Sequence, residues 1–217
     1  MEHVAEWAWT LDFPRARRGS LFVKRAVDVI ASGALLVLLA PLLAVVAVAI
    51  RMSSAGPVLF VQRRIGYRCA EFEMFKFRTM DDGAERHERR LARAQSDRTF
   101  LKIENDPRVT PLGRLLRRFS VDELPQLYNV LRGDMSLLGP RPLLPTDLDR
   151  FPRASVMRRF AMKPGISGLW QVSGRSLLPD ADRIRLDIEY VDNWSLSRDF
   201  TILARTIPVV VTARGAV

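Results

Sequence analysis

The chain has 217 residues, 48% hydrophobic and 27% charged, which allows one domain with a real core and an appended segment. Its one cysteine, Cys69, excludes an intramolecular disulfide framework and a cysteine-rich metal site. His3 and His87 stand far apart with no metal-ligand spacing, and both read as solvated polar residues. The formal charge of +10 calls for an anionic partner: nucleic acid, an anionic membrane surface or a phosphorylated substrate.

From Val29 to Ile50 the chain carries no charge. As a helix this stretch is about 33 Å long, enough to cross a bilayer core. It starts too late and runs too long for a cleaved signal peptide. A single-pass anchor is the simplest reading, but two features favour a helix that enters and returns. Pro41 sits near the middle, where its ring kinks a helix and its missing N–H frees a carbonyl. The flanks are basic on both sides, with Arg15, Arg17, Arg18, Lys24 and Arg25 before the stretch and Arg51, Arg63, Arg64 and Arg68 after it. Such residues prefer the cytoplasmic side, so both ends ask for one compartment. A re-entrant helix broken at Ala40-Pro41 satisfies both.

Further along, Val58 to Gln62 and Phe72 to Thr79 read as short strands around a turn at Gly66, with Lys76 and Arg78 on one face of the second. Glu85 to Gln95 reads as a charged, solvated helix. Thr110-Pro111 is a helix start, followed by Leu112, Leu115, Leu116 and Phe119 at helical spacing with Arg114, Arg117 and Arg118 beside them. This helix suits a membrane surface or a core with a wet basic face.

A second helix is expected from near Asp122 to Arg132, stopping at Gly133. Ser120 and Glu123 fit a capping box, but that register places Pro125 beyond the first turn. With Asp122 as the cap, Pro125 falls inside the first turn and the carboxylate faces the positive end of the helix dipole, so this register is preferred. Leu138-Gly139-Pro140-Arg141-Pro142 then holds Arg141 between two prolines, a stiff mount for a guanidinium that suits phosphate. Lys163 to Gly168 is an ordered loop, Asp187 to Trp194 follows, and Arg198 to Ala213 closes the chain as a helix, with Pro208 as a candidate kink. This last helix is interfacial support or core; the sequence allows either.

The motifs in order resemble the bacterial monotopic phosphoglycosyl transferases, the polyprenyl-phosphate sugar-1-phosphate transferases. They are Lys24-Arg25-Ala26-Val27-Asp28, Gly56-Pro57-Val58, Gln62-Arg63-Arg64-Ile65-Gly66 and Phe75-Lys76-Phe77-Arg78-Thr79-Met80. Asp122-Glu123-Leu124-Pro125-Gln126-Leu127, Gly133-Asp134-Met135-Ser136 and Gly139-Pro140-Arg141-Pro142 follow. Lys163-Pro164-Gly165-Ile166-Ser167-Gly168 and Asp187-Ile188-Glu189-Tyr190 complete the set. Each string is weak alone; the ordered series is specific and covers Lys24 to about Ile207.

The resemblance implies a nucleotide-sugar donor, usually a UDP-sugar, a polyprenyl phosphate acceptor and Mg²⁺. UMP and a polyprenyl-diphosphate sugar would be the products, at the first membrane step of exopolysaccharide, capsule, O-antigen or glycoprotein glycan assembly. It implies membrane lipid but no nucleic acid as partner, a monotopic enzyme on the cytoplasmic face of the bacterial inner membrane, and a re-entrant helix. Where members often carry Ser-Pro at the helix break, this chain has Ala40-Pro41. The expected fold is α+β and mostly helical, with the re-entrant helix broken at Pro41, interfacial amphipathic helices and a small β-hairpin. The expected divisions are an N-terminal extension (1–20), the membrane helix (21–56) and a catalytic domain (57–217). Apolar and basic surfaces would also support a homodimer.

The chemistry narrows the site. A carboxylate attacks phosphorus competently, and phosphoryl transfer needs charge neutralisation above all. Asp122 and Glu123 are therefore the candidate catalytic pair, with Asp122 as nucleophile and Mg²⁺ ligand. Arg141, Lys76 and Arg78 are the candidate phosphate or substrate ligands. A non-catalytic basic membrane-anchored binding or scaffold protein is the rival reading. It explains the charge and the anchor but not the acidic pair beside a stiff arginine loop.

Overall fold

The computed structural model describes residues 18–81, 83, 106–148 and 156–212. Residues 1–17 of the expected extension, the expected charged helix Glu85 to Gln95, His3 and His87 lie outside the described residues. Helix α1, Arg18–Ser53, is 36 residues long and contains Pro41. The expected interruption at Ala40-Pro41 is absent: helical backbone continues through it. A lone proline removes one hydrogen bond and bends a helix, but the remaining bonds hold where the side chains face an apolar medium. The middle of α1 exposes Val37, Leu38, Leu42 and Val45.

Both ends of α1 dock on the rest of the protein. Strands β1 (Leu59–Ile65) and β2 (Glu71–Phe77) pair antiparallel, from Leu59 opposite Phe77 to Ile65 opposite Glu71, as the alternation around Gly66 anticipates. Helix α2, Pro111–Arg118, begins as expected: the Thr110 side chain accepts from the Gly113 N–H and Pro111 occupies the first turn. Val46 and Ile50 of α1 pack with Phe77 and Leu116, so the C-terminal end of α1 rests on β2 and α2.

At the other end, Arg25 donates to the carbonyls of Val130 (2.6 Å) and Leu131 (3.0 Å), in the last turn of helix α3, Gln126–Arg132. These are carbonyls that a helix end leaves without partners, so Arg25 caps α3. Gly133, at φ 99°, ends α3 in the left-handed conformation, as its position in the sequence suggests. Asp28 accepts from the Leu137 N–H, and Lys24 donates to the Leu138 carbonyl (2.9 Å) and to Asp199 (2.7 Å). Lys24 and Asp199 are both buried, and each satisfies the other's charge.

A second sheet is one that the sequence reading missed. Strand β3, Ser136–Leu138, pairs in parallel with β4, Gly165–Ser167, within what reads as irregular loops. The approach is very close: a Cβ on Gly165 would lie 2.1 Å from the Gly139 nitrogen, and one on Gly139 would lie 2.3 Å from the Lys163 carbonyl oxygen. Only glycine fits at either place. The short helix α4 (Pro145–Leu148) packs through Leu148 on a cluster with Ile65 and Leu143. Between the short helix α5 (Leu169–Val172) and the longer α6 (Asp180–Asp192) and α7 (Leu196–Val211) lies the largest core cluster among the described residues, which includes Leu138, Met162, Tyr190 and Ile202. With helices dominant and two small sheets, the fold is α+β.

Helix α2 buries Leu116 against α1 and leaves Leu115 and, just past its end, Phe119 exposed. Helix α7 does the same. It buries Asp199 and Ile202 and exposes Phe200, Leu203, Ile207 and Val211 on its other side.

Candidate active site

The chain enters the site from α2. Ser120 takes the left-handed conformation (φ 56°), and Val121–Glu123 form one turn of 3-10 helix before Leu124, Pro125 and α3. Asp122 is therefore not the helix cap that the sequence favours, and Ser120 does not cap through its side chain either. Ser120 breaks the chain direction, so the acidic pair sits on its own turn and α3 starts only at Gln126. Pro125 occupies the cap position of α3, where its missing N–H matters little.

This turn presents the two carboxylates differently. Oε1 of Glu123 accepts from Lys76 Nζ at 2.9 Å and from Arg141 Nη2 at 2.8 Å. Burial alone would raise the Glu123 carboxyl, but Arg141 and Lys76, by charge and hydrogen bond, overcome it and hold the carboxyl far below its ordinary range. Asp122, 8% exposed, accepts no hydrogen bond among the described residues. Burial first and the Glu123 charge second push its carboxyl up, against the pull of Lys76, Arg117 and Arg141. Two adjacent carboxyls are thus driven apart, one fixed as an anion and one left more basic, a pattern that divides catalytic roles.

Arg141 is mounted by its neighbours. The buried Arg159 donates from Nη2 to the Arg141 carbonyl at 2.7 Å and from the same nitrogen to Asp187. The carbonyl of Arg141 is thereby held, in addition to the stiffness of the two prolines and the close glycine contacts beneath. Its guanidinium lies 5.9 Å from the Trp170 ring centre, and Arg183 approaches the same ring at 5.3 Å.

Of the sequence-predicted site residues, the structure brings Asp122, Glu123, Lys76 and Arg141 together. Arg78 is elsewhere. It donates to the carbonyls of Ser54 (2.8 Å) and Ala55 (2.7 Å), tying the end of α1 to β2, whereas Lys76 on the same strand face reaches Glu123. Ala40 and Pro41 lie within the continuous helix α1.

Three further cations belong to the site. Arg117 and Arg175 both sense the charges of Asp122 and Glu123, and Arg183 senses that of Arg141. Arg117 is legible as a basic residue beside an apolar stripe. Arg175 comes from a turn more than fifty residues beyond the acidic pair, and only the excess of positive charge hints at it. A cavity of about 10 Å³ behind the loop, lined by Arg141, Pro142, Arg159 and Phe160 among others, holds no more than one water.

A family model described as bacterial sugar transferase matches residues 19–213. The chain belongs to this bacterial sugar transferase family, that of the polyprenyl-phosphate sugar-1-phosphate transferases. It is 40% identical over 198 residues to the exopolysaccharide production protein ExoY of Rhizobium meliloti, covering 89% of this chain and 87% of that one. It is 43% identical over 205 residues to the UDP-glucose:undecaprenyl-phosphate glucose-1-phosphate transferase of Caulobacter vibrioides, covering 89% and 71%. It is also 40% identical over 207 residues to the undecaprenyl-phosphate galactose phosphotransferase of Salmonella typhimurium, covering 93% of this chain but 43% of the longer relative.

Proposed function

We propose that the protein transfers a sugar-1-phosphate from a nucleotide-diphosphate-sugar, a UDP-sugar, to polyprenyl phosphate through a covalent intermediate on Asp122. The observation that carries this reading is the division within the acidic pair: Glu123 is saturated by Lys76 and Arg141, while Asp122 keeps a more basic carboxylate without a hydrogen-bond partner among the described residues. In the first step an Asp122 oxygen attacks the phosphorus that bears the sugar, and the bond from that phosphorus to the UMP oxygen breaks. UMP leaves with the electron pair, and an acyl phosphate remains. In the second step an oxygen of polyprenyl phosphate attacks the same phosphorus, and the bond to Asp122 breaks to regenerate the carboxylate. Glu123 fixes Lys76 and Arg141 beside the reacting phosphorus, where their charge offsets that of the phosphates.

The residues fit Mg²⁺ in one manner. No group of three His, Cys, Asp or Glu among the described residues could hold a metal alone. Asp122 offers an unengaged hard oxygen, and Mg²⁺ is commonly held by one or two carboxylates plus substrate phosphates and water. Asp122 is the residue that would hold it, and its chemistry there is neutralisation of phosphate charge.

A monotopic position on the cytoplasmic face of the bacterial inner membrane is supported by the docking of α1. A straight helix from Arg25 to Ile50 would be about 37 Å long, more than the bilayer core of about 30 Å. Arg25 and Ile50 both contact the same charged body, which cannot follow the helix through lipid. A kink at Pro41, with helical backbone kept on both sides of it, would let α1 enter and return to one face and so accommodate both contacts. The exposed sides of α2 and α7 suit the interface of that face.

The test is incubation of purified protein with polyprenyl phosphate, Mg²⁺ and a panel of UDP-sugars. UMP release that depends on one donor is expected; no release with any nucleotide-sugar would return the protein to the class of binding modules.

A further inference from the structure

Resting on the reading above, we propose that Arg175 is a ligand of the transferred phosphate and that its Nη1 donates to an oxygen of the phosphoryl group that rides on Asp122. Three other cations near the acidic pair each have a protein partner. Lys76 and Arg141 converge on Glu123, and Arg117 donates from Nε to Thr79 Oγ1 at 2.9 Å. Arg175 uses Nη2 to reach Ser120 Oγ at 2.7 Å, and its Nη1 is buried without a partner. A buried, charged donor left unpaired is expensive and calls for an acceptor, and a phosphate oxygen is the strongest that this chemistry offers.

The position is specific. Ser120 opens the turn that carries Asp122, so its bond to Arg175 ties the guanidinium to the nucleophile's own turn. The charges of Glu123, Arg141 and Asp122 all act on Arg175, so it lies near all three. Its backbone is also held in an unfavourable state, at φ 50°, directly after Gly174 at φ 148°. A non-glycine residue kept in the left-handed region marks a place where the surroundings over-determine the conformation. Because the phosphoryl group on Asp122 stays beside this turn after UMP has left, Arg175 serves both half-reactions.

UDP carries the phosphate that would be transferred, whereas UMP lacks it, and this difference supplies the test. Affinities of UDP and UMP are measured by titration calorimetry on the full chain in detergent, for wild type, Arg175→Gln, Arg175→Lys and Ser120→Ala, with turnover assayed on the same preparations. Loss of one charge-assisted hydrogen bond predicts UDP binding weakened about tenfold or more in Arg175→Gln, with UMP binding changed by less than about threefold. Arg175→Lys should lie between Arg175→Gln and wild type. Ser120→Ala keeps the guanidinium and should lose less UDP affinity than Arg175→Gln.

Equal weakening of UDP and UMP would move Arg175 to the leaving phosphate and overturn the assignment. So would unchanged UDP affinity in Arg175→Gln, or a Ser120→Ala loss as large as that of Arg175→Gln, which would make Arg175 only a prop for the turn. If Arg175→Gln fails to fold, the Arg175→Lys comparison of UDP with UMP decides in the same way. Wild-type protein that binds UDP but releases no UMP from any donor would sink the proposed function, and the binding arm would still judge Arg175.

Discussion

Arg159 donates to the main-chain carbonyl of Arg141 at 2.7 Å while paired with the buried carboxylate of Asp187. A buried ion pair thus holds the main chain of the loop that carries Arg141. Removing Arg159 alone leaves Asp187 buried and uncompensated, so Arg159→Met should destabilise the fold by about 3–5 kcal/mol. The double variant Arg159→Met/Asp187→Leu should recover most of that loss without recovering turnover, because the Arg141 carbonyl then lacks the Arg159 donor. Chemical denaturation and UMP release on the same three proteins check this; a double variant that is both stable and active contradicts it.

The pH dependence follows from Asp122. Burial and the neighbouring Glu123 raise its carboxyl, and the nucleophile must be ionised. Turnover should therefore fall on the acid side at a higher pH than an ordinary carboxylate would give. Glu123→Gln removes a like charge and releases Lys76 and Arg141 toward Asp122, and both changes lower its pKa. The acid limb of kcat should move to lower pH in that variant even though its maximum drops. A limb that stays in place or moves up would mean that another group controls it.

Arg141 and Arg78 should separate cleanly. Arg141→Lys keeps the charge but loses the fork and the position over Trp170, and it should lower kcat by roughly 10- to 100-fold with little change in melting temperature. Arg78→Lys loses one of the two carbonyls at Ser54 and Ala55, and it should lower stability by roughly 1–3 kcal/mol while folded enzyme keeps its turnover. Thermal melts and kinetics on both variants give the result; a large kcat loss in stable Arg78→Lys would bring Arg78 back to the site.

For topology, single cysteines replace Gly19, which has open space for a side chain, and exposed Ala55, which avoids the positive φ of Gly56. The background is Cys69→Ser, although burial already pushes the native thiol up to about 11 and makes it slow to react. Both new cysteines should react with an impermeant maleimide only in inside-out vesicles. Reaction of one of them in right-side-out vesicles restores a helix that crosses.

Much of the scaffold was legible because it is written locally. Thr110-Pro111 starts α2, Gly133 ends α3, and alternation around Gly66 gives the hairpin. The pairing of β3 with β4 was not legible: three-residue strands carry no periodicity, and the glycines that permit the contact read equally as loop glycines. Within the site, Asp122, Glu123, Lys76 and Arg141 were named from residue type and motif. The start of α3 went wrong because a left-handed Ser120 overrides the capping pattern. Arg175 and the Arg159–Asp187 grip depend on contacts across long stretches of chain, which no local spacing encodes.

The central claim is that Asp122 carries the sugar phosphate covalently. The direct measurement is intact-protein mass spectrometry after donor alone is added, with Mg²⁺ and without polyprenyl phosphate. Wild type should gain the mass of one sugar phosphate, release stoichiometric UMP and lose the adduct when polyprenyl phosphate is added, while Asp122→Asn should show neither adduct nor turnover. Retention of turnover in Asp122→Asn, or UMP that appears only when both substrates are present, contradicts the account.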